Sequence, residues 1–116
     1  MAEAGGRDGE VLAALGRYAG SATLILSSLA DGEKHGYALI KDIQAFAGVR
    51  LAPGTLYEAL ARLEAQGLIE PVPAVDRRRP YRLTALGAQL LSAHLNDQRR
   101  IAEVGLRRLA GADGLA

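Results

Sequence analysis

The chain has no cysteine and no tryptophan, one phenylalanine and four tyrosines. Without cysteine there is no disulfide, thiolate metal site or thiol redox chemistry. That fits a reducing cytoplasm, the expected location. With so few rings, aliphatic side chains have to fill the core. The longest apolar run, "ATLIL", falls far below the roughly 20 residues of a membrane-spanning helix. Residues 1–10, "MAEAGGRDGE", lack the basic start and apolar stretch of a signal peptide, so no membrane partner is expected. Histidine is scarce too: His35 and His94 stand far apart, with no further ligands clustered near either. No metal site and no cofactor is expected. Neither a nucleophile elbow nor a glycine-rich phosphate loop is present, which leaves an enzyme without support. A surplus of charge is also missing, the net being +1, and taken alone that argues for no partner.

What is present is enough for one domain, or one domain plus an appended helix: 116 residues, 49% of them hydrophobic. Residues 1–10 read as a flexible tail. From Val11 to Leu29, Leu12, Leu15, Ala19, Ala22, Leu26 and Leu29 recur near helical spacing. Gly16 and Gly20 weaken that helix and Ser21 can cap a fresh start, so one helix or two stays open. Asp31-Gly32 ends it. A helix over 36–47 follows, with Leu39, Ile40, Ile43 and Ala47 on one side and Gly48 as its stop. After a tight connection, a third helix opens at Pro53 and closes at Gly67, with Leu56, Leu60 and Leu63 as its buried stripe. Leu68–Val72 and "PYRLT" read as two strands of a hairpin, the prolines suiting an edge. Thr84 then caps a long helix over about 85–110, and residues 111–116 form a tail. That last helix carries two apolar stripes. Leu86, Leu90, Ile101 and Val104 make one; Leu91, Leu95, Ala102 and Leu109 make the other. This exceeds what a three-helix core needs and implies a partner.

Two helices joined by a short turn, the second with a polar outer face, make a helix-turn-helix. Thr55, Glu58, Ala61, Arg62 and Ala65 face outward if the leucines face in. Gly54 lets backbone approach DNA closely, and Thr55 can bond a base or a phosphate. Arg62, two turns on, suits a phosphate. Tyr57 borders both faces, so it can pack inward or put its hydroxyl on the DNA backbone. The bland alternative is an ordinary amphipathic helix. Arg77, Arg78 and Arg79 weigh against it. Like charges crowded at a hairpin tip gain a fold nothing, whereas an anionic groove or phosphate attracts them.

Three segments, "LILSSLADGEKHGYALIKDI" (24–43), "LAPGTLYEALARLEAQGLIE" (51–70) and "DRRRPYRLTALG" (76–87), resemble the PadR family of transcriptional regulators, in its short type with a single C-terminal helix. HGY, PGTLY, RLEAQGLIE and YRLTALG occur in the family's order. The resemblance implies a mainly α (α+β) winged helix-turn-helix over 11–84, with a two-stranded wing and a long C-terminal dimerisation helix over 85–110. It further implies a homodimer, a double-stranded operator, repression of neighbouring genes, and a small-molecule effector that releases DNA. Two positions depart from the pattern. Ala52 stands where a serine often precedes Pro-Gly-Thr, and the last helix lacks the tryptophan with which some members stack a planar ligand.

The expected DNA contacts are Pro53, Gly54, Thr55, Tyr57, Arg62, Arg77, Arg78, Arg79, Lys34 and His35. The free N–H groups of the helix that His35 precedes can grip a phosphate, although a capping or solvated histidine reads equally well. Lys34, like Lys41 and Arg50, is a phosphate candidate or equally plain surface charge. Expected at the dimer contact are Leu15, Leu90, His94, Ile101, Val104 and Leu109. Tyr81 and Leu83 anchor the wing, Arg82 faces out, and Thr84 is a helix cap. The competing class is a winged-helix protein–protein interaction module without DNA binding.

Overall fold

The structure, a computed structural model, describes residues 20–74 and 76–112. The elements over them run α1 (Ser21–Leu29), α2 (Gly36–Ala47), α3 (Pro53–Ala65), β1 (Ile69–Pro71), β2 (Tyr81–Leu83) and α4 (Ala85–Ala112). The expectations for residues 1–19, Leu15 among them, and for 113–116 lie outside the described residues.

Each boundary has a local cause. Gly20 adopts φ 87°, so no continuous helix passes through it and α1 starts afresh. The cap is Gly20 itself rather than Ser21, which is the first helical residue and makes no capping bond. Gly48 ends α2 in the left-handed conformation at φ 69°, where a residue without Cβ has no steric cost. At the end of α3 the Leu68 N–H donates to Leu63 O and the Gly67 N–H to Glu64 O. With Gly67 at φ 76°, this is the paired bond pattern that closes a helix on its last carbonyls. Thr84 caps α4: its Oγ1 accepts from the Gly87 N–H at 3.0 Å and donates to Gly67 O at 2.7 Å.

The core is aliphatic, as the composition requires. Ile25, Leu26 and Leu29 of α1 meet Leu39 and Ile43 of α2, Leu56, Ala59, Leu60 and Leu63 of α3, Leu51, Ile69 and Leu91. Ala47, expected on the packed side of α2, is exposed. The strands pair antiparallel in the register Ile69↔Leu83, Glu70↔Arg82 and Pro71↔Tyr81. β1 is shorter than expected, although Val72 still donates to Pro80 O at 2.9 Å. The segment before α2 joins this sheet as well: Lys34 and Tyr81 exchange two backbone bonds of 3.1 and 2.9 Å. The wing is thereby tied to the helical body.

Helix α4 has 28 residues, about 42 Å of helix, and only Gly87 and Leu91 along it are buried. The rest projects, which stretches the chain to 56 × 32 × 21 Å.

Candidate nucleic-acid interface

The outward face of α3 follows from its period. Thr55, Glu58, Ala61, Arg62 and Ala65 are all exposed, while Leu56, Ala59, Leu60 and Leu63 are buried. Pro53 opens the helix, and its cap residue, Ala52, offers no side-chain bond. Pro53, Gly54 and Thr55 are exposed on the first turn, where free N–H groups and the positive end of the helix dipole favour an anion. Arg62 lies further along, 4.0 Å from Glu58 and open to solvent.

Tyr57 is exposed on α3 and rests against α2. Its ring leans over the start of α2, so close that a Cβ on Gly36 would lie 2.5 Å from the Tyr57 hydroxyl oxygen. The ring is still 55% exposed. Here α3 meets the wing: a cleft of about 460 Å³ is lined by Tyr57, His35, Gly36, Tyr37, Arg77, Arg78, Arg79 and Tyr81. Helix and arginines thus share one surface. Pro53, Gly54, Thr55 and Arg62 are on the exposed side of α3 but do not line the cleft.

At the wing tip, Asp76 and Arg77 have φ 53° and 66°. Asp tolerates this region, whereas Arg does so at a cost of about 1–2 kcal/mol. Glycine would avoid that cost, so the arginine is held there against the local backbone preference. Among the described residues, Arg77, Arg78 and Arg79 have no acidic partner within 4.0 Å. The neighbouring Arg82 is neutralised instead, bonding Glu70 across the hairpin at 2.7 Å. The Glu70 hydrogen bond and charge raise the Arg82 pKa further.

His35 is the N-cap of α2, its Nδ1 accepting from the Ala38 N–H at 3.3 Å. Nε2 in turn lies 3.4 Å from Arg78 Nη1. The ring and the guanidinium are thus in contact at the mouth of the cleft.

Lys34 corrects an expectation. Its ammonium donates to Ser28 O and to the Asp31 carboxylate, with Asp42 Oδ2 at 4.0 Å. Ser28, itself buried, donates to Asp42 at 2.6 Å. A side chain held by three partners at the end of α1 has no freedom to reach a phosphate. Lys34 fastens the loop instead, and its charge holds the Asp31 carboxyl below the usual range, chiefly through their hydrogen bond.

On α4, Leu86, Leu90, Leu95, Ile101, Leu106 and Leu109 are exposed and Val104 is half-buried. His94 is exposed, 3.4 Å from Gln98. Sequence reasoning missed Leu106, and it also missed Tyr37. Tyr37 lines the cleft and has Lys41 Nζ 5.4 Å from its ring centre. The tyrosine of HGY was the available signal.

The family model for the transcriptional regulator PadR-like family matches residues 25–93. An uncharacterized 37.1 kDa protein in transposon TN4556 of Streptomyces fradiae is 46% identical over 78 residues, 67% of this chain. The chain spans only 23% of the length of that relative. The transcriptional regulator Rv3488 of Mycobacterium tuberculosis is 40% identical over 90 residues, 75% of this chain and 80% of the relative. A PadR family transcriptional regulator from Eggerthella lenta has a similar crystal structure, with TM-score 0.71 and 28% identity over 94% of this chain and 96% of that one. Bacillus subtilis PadR, solved in complex with operator DNA, gives TM-score 0.59 and 25% identity over 64% of this chain and 45% of that one.

Proposed function

The chain belongs to the PadR-like family of transcriptional regulators, and from that premise we propose that it binds double-stranded DNA as a homodimer and represses transcription from a palindromic operator. One observation carries the reading: Tyr57 of α3 and three wing arginines that have no acidic partner among the described residues border a single cleft. A duplex laid against that surface takes the Pro53–Gln66 segment in its major groove. The 74–79 wing then falls on flanking backbone or in the minor groove. His35 and Arg78, in contact with each other at 3.4 Å, border the same cleft and are assigned to the phosphate backbone. That the Bacillus subtilis relative was solved in complex with operator DNA supports DNA as the partner.

The apolar face of α4, from Leu86 to Leu109, is assigned to the second subunit, with 11–84 as the DNA-binding domain and 85–110 as the dimerisation helix. Twofold symmetry then sets half-sites about one or two helical turns apart. Small-molecule control belongs to the groove where Leu91, Leu95 and Arg99 of α4 face Ala30 and Leu83, since a ligand there moves the helix that spaces the two readers. A screen of aromatic acids in which none releases bound DNA would count against that part.

Footprinting and mobility shift on the gene's own promoter, at several salt concentrations, test the main claim. With three or four phosphate contacts per subunit, the dimer's log–log salt slope is roughly −5 to −7. Replacing Arg77, Arg78 and Arg79 together by Ala weakens binding to every sequence and leaves the melting temperature unchanged. A slope near zero, or a triple variant that binds as tightly as the parent, refutes the reading.

A further inference from the structure

We infer that Gly36 is a positioning residue for DNA recognition: its missing side chain seats the Tyr57 ring on the first turn of α2 and so aims the phenol hydroxyl at the DNA backbone between α3 and the wing. The inference rests on the DNA-binding reading above.

Gly36 is buried at the start of α2 with no left-handed φ, so the backbone there accepts any residue. Space is what forbids one. A Cβ at this position would lie 2.5 Å from the Tyr57 hydroxyl oxygen, 3.0 Å from Cζ and 3.2 Å from Cε1. The ring is pressed against the helix on that side and open to solvent on the other. Among the described residues its hydroxyl has no side-chain hydrogen-bond partner, yet the cleft it borders holds three arginines. An unpartnered donor among unpaired cations suits an anionic acceptor. Next to Gly36 stands His35, whose ring links the same turn to Arg78. The seat of Tyr57 therefore fixes how reading helix, α2 and wing stand to one another.

An added methyl pushes an exposed ring outward; it does not break the core. Gly36→Ala is accordingly expected to melt at or slightly above the parent temperature, because alanine lowers the entropy of the unfolded chain. Its affinity for a duplex of the gene's own promoter, read by fluorescence anisotropy, falls about tenfold, the size of one hydrogen bond to a charged group. The variant that decides is the double one. If Gly36 acts through Tyr57, Gly36→Ala adds no further loss on a Tyr57→Ala background. A loss that multiplies across the two changes means a separate structural role and overturns the inference. It is equally overturned if Gly36→Ala binds like the parent, or unfolds. A parent chain that binds no duplex defeats the functional reading and this inference together, whereas a binding parent with an indifferent Gly36→Ala defeats only the inference.

Discussion

Gly87 is where the whole projecting helix α4 is aimed, and changing it to alanine is a sharp test of the fold. A Cβ at Gly87 would lie 2.1 Å from the Leu68 carbonyl oxygen, 3.0 Å from the Leu68 carbonyl carbon and 3.1 Å from Leu83 Cδ1. Real carbon–oxygen contacts need about an ångström more. Either the first turn of α4 lifts or the Leu68 carbonyl swings away, and the latter breaks its bond from the Thr84 N–H, now 3.1 Å. Forcing extra volume into a packed site costs about 1–3 kcal/mol, and a disrupted backbone bond adds about 1 kcal/mol. Alanine returns about 0.5–1 kcal/mol through its better helix propensity. The net is a loss of about 1–3 kcal/mol. For a chain of this size that is about 4 °C per kcal/mol, so the melting temperature falls by about 4–12 °C at fixed protein concentration, read by circular dichroism. A Gly87→Ala variant that melts with the parent would show that α4 does not leave the wing by this close approach, and the direction of α4 would have to be redrawn.

Thr55→Ala is expected to reduce the preference for operator over random duplex, by about 1–3 kcal/mol if Thr55 meets a base edge, while the salt slope stays as it was. Equal losses on both duplexes in competition binding refute a base contact. Lys34→Ala leaves the carbonyl of buried Ser28 without its donor, so stability drops by about 1–2 kcal/mol while the affinity for DNA of the folded protein is unchanged; the exposed Asp31 pair adds to the direction of the effect. Because Lys34 holds the Asp31 carboxyl below its ordinary range, that share of stability is fully present at neutral pH. It disappears only as pH falls below the carboxylate range, so the gap between parent and variant melting curves narrows in acid without closing, because the bond from Lys34 to Ser28 O does not titrate. Ile101→Asp with Leu109→Asp buries charge in the assigned subunit contact and halves the mass measured by light scattering; a mass that does not move locates the partner elsewhere.

Those parts of the fold that repeat a local pattern were legible from the sequence. Leu39 and Ile43, then Leu56, Leu60 and Leu63, fall on single helical faces. Gly48 and Gly67 stand where a chain must turn left-handed, and all of these are found in those roles. Thr84 was readable as a cap because hydroxyls favour that position. The helix α4 was half-readable: two stripes were visible, yet nothing in their spacing says that Leu91 enters the core while Leu90 and Leu95 stay outside. Lys34 was misread for a physical reason. A lysine near two aspartates looks the same whether its ammonium is in solvent or tied down, and here the carbonyl of buried Ser28 decides it. The strand contact of Lys34 with Tyr81 is a single bridge, too short to leave an alternating pattern. The pressing of Tyr57 on Gly36 joins residues of different helices, and periodicity carries no information across that gap.

The near-neutral total charge was the sequence's one argument for an interaction module in place of a DNA reader, and the pairing of charges weakens it. Asp31 and Asp42 are taken up by Lys34, Glu70 by Arg82, Asp97 by Arg100, and Glu58 faces Arg62. Among the described residues Lys41, Arg50, Arg99, Arg107 and Arg108 also lack an acidic partner, but the densest run of such cations is Arg77, Arg78 and Arg79, with Asp76 beside it. At physiological salt a charge is felt over about 8 Å, so a duplex at the wing meets three guanidinium groups and the single carboxylate of Asp76, a local surplus of cations that the net charge of the molecule does not show. A protein-docking wing would have a different need, since bringing three adjacent cations against another protein requires matching acids from the partner or a large desolvation cost. The two classes part in one gel. A DNA reader shifts random genomic fragments at low salt through these arginines and loses that shift steeply as salt rises, whereas a module that only docks proteins shifts none at any salt.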